Sequence, residues 1–303
     1  MIDKLMDKID DRENPTVVGL DPTYDIIPET IKQSMIEKYG KTPKAAGQMI
    51  YSFNKSIIDG IYDLVPAVKL QVAMYEKYGI EGFRAYLKTT QYAKKKGMIV
   101  IGDIKRGDIS STAEAYAAHI GGIKIEDTYL DLWNEDAVTL NPYMGFDGIK
   151  PFIDPCNEYD KGLFILVKTS NPSGAEIQDL ITDGKPVYEH VAGLVSQWGE
   201  LAMGTRGYSK IGAVVGATYK EQGAALRKLM PHTFFLVPGY GAQGASGSDL
   251  KGYFDKDGRG CIVNSSRGII AAYKKEARYG DHNFVDAARE AVIKMKLDLG
   301  ENI

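Results

Sequence analysis

The chain has 303 residues, 37 Lys and Arg against 40 Asp and Glu, and a formal net charge of −3. With no long Lys/Arg block, that balance argues against a nucleic-acid partner, because binding a phosphate backbone needs a concentrated positive surface. Hydrophobic residues at 44% and charged residues at 25% are ordinary for a soluble globular protein, and no apolar run nears the ~20 residues of a membrane span, so no membrane partner is expected.

The opening stretch MIDKLMDKIDDREN alternates acid, base and apolar residues. It lacks the apolar core of a signal peptide and reads as an amphipathic helix, so a cytoplasmic location is expected. Eight apolar, often β-branched runs follow: Thr16 to Leu20, Ala67 to Val72, Met98 to Ile104, Ala137 to Leu140, Leu163 to Val167, Ile211 to Val215, Thr233 to Val237, and Cys261 to Asn264. Between most of them lie stretches with helical patterning, such as Gly82 to Lys96 and Val187 to Met203. Eight strand–helix units in this length predict an α/β fold, a single-domain (β/α)8 TIM barrel over residues 1–303. The intervals 22–63 and 173–185 read as insertions or lids. A doubly wound open sheet is the competing arrangement, since strand count alone does not separate the two.

Polar, Pro or Gly residues follow the runs at Leu20-Asp21-Pro22, Asn141-Pro142, Thr169-Ser170-Asn171-Pro172, Val237-Pro238-Gly239 and Asn264-Ser265-Ser266-Arg267-Gly268. A barrel would gather these ends on the one face where active sites are built. The third run ends in IGDIKRGDISSTA, residues 101–113. Side chains two apart on a strand share a face, so Asp103 and Lys105 form a local acid–base pair, unless the stretch is a solvated turn. Lys69, inside the apolar second run, needs a partner or an exit to solvent. Asp103 is the obvious partner, and a lysine snorkelling at a barrel mouth is the alternative. The loop Gly239 to Gly244 and Arg267 lie after the seventh and eighth runs, where barrels frequently hold phosphate; a flexible surface turn is the alternative for the loop.

Cys156 and Cys261 have no metal-type spacing and read as reduced thiols. His119, His190, His232 and His282 form no metal-binding pattern, and there is neither a serine nucleophile elbow nor a dinucleotide fingerprint after the first run.

Asp103-Ile104-Lys105-Arg106-Gly107-Asp108-Ile109, with Thr112 after it, resembles the signature of the orotidine 5′-phosphate decarboxylase family, in its longer branch. Leu20-Asp21-Pro22, Lys69, the Thr169 to Pro172 motif, Gly239-Tyr240-Gly241-Ala242-Gln243-Gly244 and Ser266-Arg267-Gly268 stand in the family order. Ser110, and Ala245 where a second glycine is common, depart from the pattern without touching a charge. The resemblance implies conversion of orotidine 5′-phosphate to uridine 5′-phosphate and carbon dioxide, the last step of UMP biosynthesis, with no metal and no organic cofactor. It implies a network of Lys69, Asp103, Lys105 and Asp108, in which Asp103 faces the substrate carboxylate and Lys105 delivers a proton to C6. It places Ser170 at the pyrimidine edge and Gln243 and Arg267 at the phosphate. Asp21 would meet the ribose hydroxyls, with a cap before Pro22 as its alternative. In the family Asp108 and Thr112 reach across a two-fold interface, which implies a homodimer with shared active sites. Two rivals stand beside this reading: a magnesium-dependent sugar-phosphate enzyme on the same barrel, and a barrel that binds nucleotide phosphates without catalysis.

Overall fold

The computed structural model describes residues 1–303 except Ala242, Gln243 and Ala277. Each of the eight apolar runs forms a strand: β1 Thr16–Gly19, β2 Ala67–Gln71, β3 Ile99–Arg106, β4 Ala137–Leu140, β5 Gly162–Lys168, β6 Ser209–Val215, β7 Thr233–Pro238 and β8 Cys261–Ser265. All pair in parallel with their chain neighbours, and β1 also pairs with β8. Val18 registers with Val68 on one side and Ser265 on the other, so the sheet closes and the doubly wound alternative falls. Strands in such a barrel are covered on both faces, which is why they read as unbroken apolar runs rather than alternating ones. Ile99 through Ile104 are all buried.

The inside of the barrel is packed by side chains such as Val17, Ile101, Phe164, Val214, Phe234 and Ile262. The opening stretch is the helix Ile2–Arg12. Its Ile2, Leu5 and Met6, at helical i, i+3, i+4 spacing, join this inner cluster and stopper the end where the strands begin. The opposite end, where the strands finish, carries the polar motifs.

Residues 22–63 hold a short turn, the helix Glu29–Tyr39 and the helix Pro43–Ile61. The second of these is the crossover between β1 and β2. Thr42 starts it, its hydroxyl accepting from the Ala45 N–H at 3.3 Å, with Pro43 in the first turn. Its buried Ile50, Phe53, Ile57 and Ile61 face the strands. Residues 173–185 hold the four-residue helix Ala175–Gln178 and a two-residue hairpin, Ile181–Thr182 with Lys185–Pro186. Asp183 and Gly184 at its tip both have positive φ, which a type I′ turn requires. An exposed hairpin, Ile123–Ile125 with Thr128–Leu130, was not expected from the sequence. Among the described residues no helix is long and apolar enough to cross a membrane.

Candidate active site

The end of β3 departs from regular pairing. Gly102 registers with Val138 and Arg106 with Leu140, so four steps on β3 oppose two on β4. Lys105 sits in this bulge at φ 46°, a conformation in which a non-glycine residue is uncommon. Thr139 of β4 repairs the interrupted ladder. Its hydroxyl accepts from the Lys105 N–H at 3.0 Å and donates to Asp103 Oδ1 at 2.8 Å. One side chain therefore fixes the backbone of the lysine and the carboxylate of the aspartate.

Four charges of alternating sign stand in a row across β1, β2 and β3. Lys69 Nζ lies 3.8 Å from Asp21 Oδ1 and 2.7 Å from Asp103 Oδ2. Lys105 Nζ lies 2.5 Å from Asp103 Oδ1. Gln71 adds a second donor to Asp103 Oδ2 at 3.1 Å and aims Asp21 through its N–H at 3.2 Å. The Lys69 and Asp103 side chains are 5% and 8% exposed, against 43% for Lys105. The inner pair is thus walled off while the outer lysine is free to meet a substrate. Burial by itself would raise the Asp103 carboxyl, but the charges of Lys69 and Lys105 outweigh it and hold the group well below the usual carboxylate range. Burial likewise opposes the Lys69 charge, yet Asp103 and Asp21 hold its pKa above the ordinary lysine value.

These residues form one wall of a cavity of about 690 Å³ at the strand ends, a size suited to a small-molecule ligand. Ser170 and Asn171 after β5, Tyr240 after β7 and Arg267 after β8 contribute to its lining. Asn264 and Ser266 also line it, and among the described residues the buried Asn264 Oδ1 and Ser266 Oγ have no hydrogen-bond partner. Gln243 lies outside the described residues. Asp108 and Thr112 are not brought into the cavity of their own chain. Asp108 accepts from the Ile109 N–H at 2.8 Å, and Thr112 is exposed in the first turn of the helix Ser110–Gly121. Arg106 turns away to an ion pair with Glu76 and lies 5.4 Å from the centre of the Tyr116 ring, which fastens the strand end to its neighbours. The sequence alone did not mark Gln71, Thr139 and Tyr240 as site residues. Gln71 and Thr139 each stand two positions from a residue or motif it singled out, so strand periodicity was the available signal.

Fold and site together define a (β/α)8-barrel enzyme with a charged centre at the ends of its strands. A family model described as "Orotidine 5'-phosphate decarboxylase / HUMPS family" matches residues 18–281, and the chain belongs to that family. The orotidine 5′-phosphate decarboxylase of Petrotoga mobilis is 44% identical over 302 residues, covering 99% of this chain and 98% of that one. The protein of the same name from Clostridium novyi is 43% identical over 302 residues with the same coverage. Among solved structures, Leishmania donovani OMP decarboxylase has a TM-score of 0.69 at 28% identity, covering 98% of each chain.

Proposed function

We propose that the chain decarboxylates orotidine 5′-phosphate to uridine 5′-phosphate and carbon dioxide, the last step of UMP biosynthesis, without a metal or organic cofactor. The observation that carries this reading is Asp103 held buried and ionised between Lys69 and Lys105. Both of its oxygens are engaged by ammonium groups, Oδ2 by Lys69 and Oδ1 by Lys105, which holds its negative charge at a fixed point beside the one exposed lysine of the row.

The reaction breaks the bond from C6 to the carboxylate and leaves the electron pair on C6, where the pyrimidine ring delocalises it poorly. Lys105 stabilises that developing carbanion and passes its ammonium proton to C6, and its exposure lets solvent reprotonate it. Asp103 faces the departing carboxylate. Two like charges ~4 Å apart at an effective dielectric near 20 repel by about 4 kcal/mol, and the repulsion vanishes as neutral carbon dioxide forms. That is worth roughly three orders of magnitude in rate. The term is a helper, and Lys105 carries the larger share.

Asp21 meets the ribose hydroxyls, Ser170 the pyrimidine edge, and Gln243 and Arg267 the phosphate. Remote binding of the phosphate dianion supplies energy that the reacting centre uses. Asp108 and Thr112, outside their own cavity, serve a partner's site across a two-fold axis, so the working form is a homodimer. The setting is cytoplasmic, which suits two free, buried cysteines, Cys156 and Cys261.

Incubating the purified protein with orotidine 5′-phosphate tests the proposal. Stoichiometric release of carbon dioxide with loss of the orotate ultraviolet band supports it. Tight binding of uridine 5′-phosphate with an unchanged band identifies a non-catalytic barrel instead.

A further inference from the structure

The loop after β7 is tied at both ends to one oxygen that lies more than fifty residues further along the chain. Asp298, on the helix Phe284–Asn302, presents Oδ2 to the Tyr240 hydroxyl at 2.6 Å and to the Gly247 N–H at 2.7 Å. Asn302, one turn on, donates Nδ2 to the Asp298 carbonyl at 2.7 Å and lies 3.4 Å from its Oδ1, so the carboxylate is itself held. Gly247 permits the close approach. A Cβ there would stand 2.5 Å from the Asp298 carbonyl oxygen. The two sides of the loop are drawn together just above this point, where the Gly241 N–H donates to the Ala245 carbonyl at 2.9 Å. Tyr240 has two faces. It lines the active cavity, and it also lines a second cavity of about 390 Å³ that Asp298 borders from the other side.

We propose that Asp298 is a positioning residue for the phosphate end of the site, setting the base of the β7 loop from the C-terminal helix without touching substrate. This rests on the reading that the β7 loop and Arg267 bind the phosphate. A carboxylate shared by two donors makes charge-assisted hydrogen bonds, the stronger kind, and without it the Tyr240 hydroxyl and the Gly247 N–H lose their partner. A loop base held in advance lowers the ordering cost of receiving an anion. The benefit therefore belongs to the phosphate and not to the pyrimidine. A substrate without a phosphate has nothing to gain from it.

The test measures kcat/KM on orotidine 5′-phosphate and on orotidine, which lacks the phosphate, for Asp298→Ala and the milder Asp298→Asn. Asp298→Ala is expected to lower kcat/KM on the phosphorylated substrate on the order of 10- to 100-fold while orotidine turnover stays within about threefold. Asp298→Asn, which keeps one acceptor, should lose less. Equal losses on both substrates, or no loss on the phosphorylated one, overturn the proposal. If Asp298→Ala melts below assay temperature, the ratio for Asp298→Asn decides by the same criterion. Arg267→Ala, run in parallel, separates the two readings. If it affects both substrates alike, the phosphate assignment fails and takes this proposal with it. If it is phosphate-selective and the Asp298 variants are not, the Asp298 proposal alone is lost.

Discussion

Lys69 reaches Asp103 diagonally. Its place on β2 registers with Ile101, while Gln71 registers with Asp103, and both side chains converge on Asp103 Oδ2, at 2.7 Å and 3.1 Å. The carboxylate is thereby fixed from two points on one neighbouring strand and from Thr139 on the other. Breaking a buried pair by removing one partner leaves an uncompensated charge, which costs about 3–5 kcal/mol. Lys69→Met should lose stability on that scale in urea denaturation at neutral pH, and Lys69→Met/Asp103→Leu should recover much of it while remaining inactive. A double variant no more stable than the single one would contradict this picture of the pair.

Acid titration offers a second check. The Asp103 pKa is depressed on folding, so its contribution is present above its unfolded value near 4 and is lost as the pH falls through the lower folded value. Lys69 is raised on folding, so its contribution is complete below its unfolded value near 10.4 and fades only as the pH rises through a higher one. Wild-type urea midpoints should therefore climb between about pH 2 and 4, with Asp59, Asp160 and Glu290 contributing beside Asp103, and Asp103→Asn should make that climb shallower. Parallel curves for the two proteins would remove Asp103 as the source.

Lys105→Ala should reduce turnover by at least about 10⁴-fold, because it deletes both the proton donor and the cation beside the carbanion. Binding of uridine 5′-phosphate should persist and the thermal melt should fall only modestly, since the side chain is 43% exposed and Asp103 keeps Lys69, Gln71 and Thr139. Residual turnover within tenfold of wild type would transfer the proton-donor role to another group.

Gly102 stands one residue before Asp103 and against a buried cluster on the outer side of the barrel wall. A Cβ at Gly102 would lie 2.1 Å from Glu135 Oε1. Glu135 is fully buried, bonded to the Tyr86 hydroxyl and to His119 Nδ1, the latter at 2.8 Å. It has little room to move. Gly102→Ala is expected to cost about 1–3 kcal/mol in thermal or urea unfolding and to lower kcat by displacing β3 under Asp103. An unchanged midpoint with unchanged kcat would mean that the wall yields freely.

The proposed homodimer, with Asp108 serving its partner's site, makes a stoichiometric prediction. Lys105→Ala and Asp108→Ala homodimers should each be nearly inactive, yet random exchange of subunits at equal amounts should restore about a quarter of wild-type activity, from the one intact site in each mixed dimer. No recovery after exchange would confine Asp108 to its own chain.

The eight strands were legible because a parallel strand covered on both faces is a continuous apolar run, and Lys69 stood out as a charge inside one of them. The hairpin at residues 123–130 was not legible, being short, exposed and apart from the core. Thr139 was hidden for a different reason. Its role exists only through the bulge that slips β3 against β4, and nothing in the 34 residues separating it from Lys105 announces that register. Asp298 was hidden likewise, 58 residues from the tyrosine it holds. Asp108 and Thr112 were assigned to a site by family resemblance alone, and neither lines the cavity of its own chain. Arg106, to which the sequence assigned no role, is a fastening to Glu76.

The central claim, a decarboxylase whose own lysine and aspartate side chains perform the chemistry, is tested most directly by the rate of orotidine 5′-phosphate turnover in a strong chelator compared with added magnesium. The account predicts equal rates, followed as loss of the orotate ultraviolet band. Turnover that stops in chelator and returns only with magnesium would contradict it.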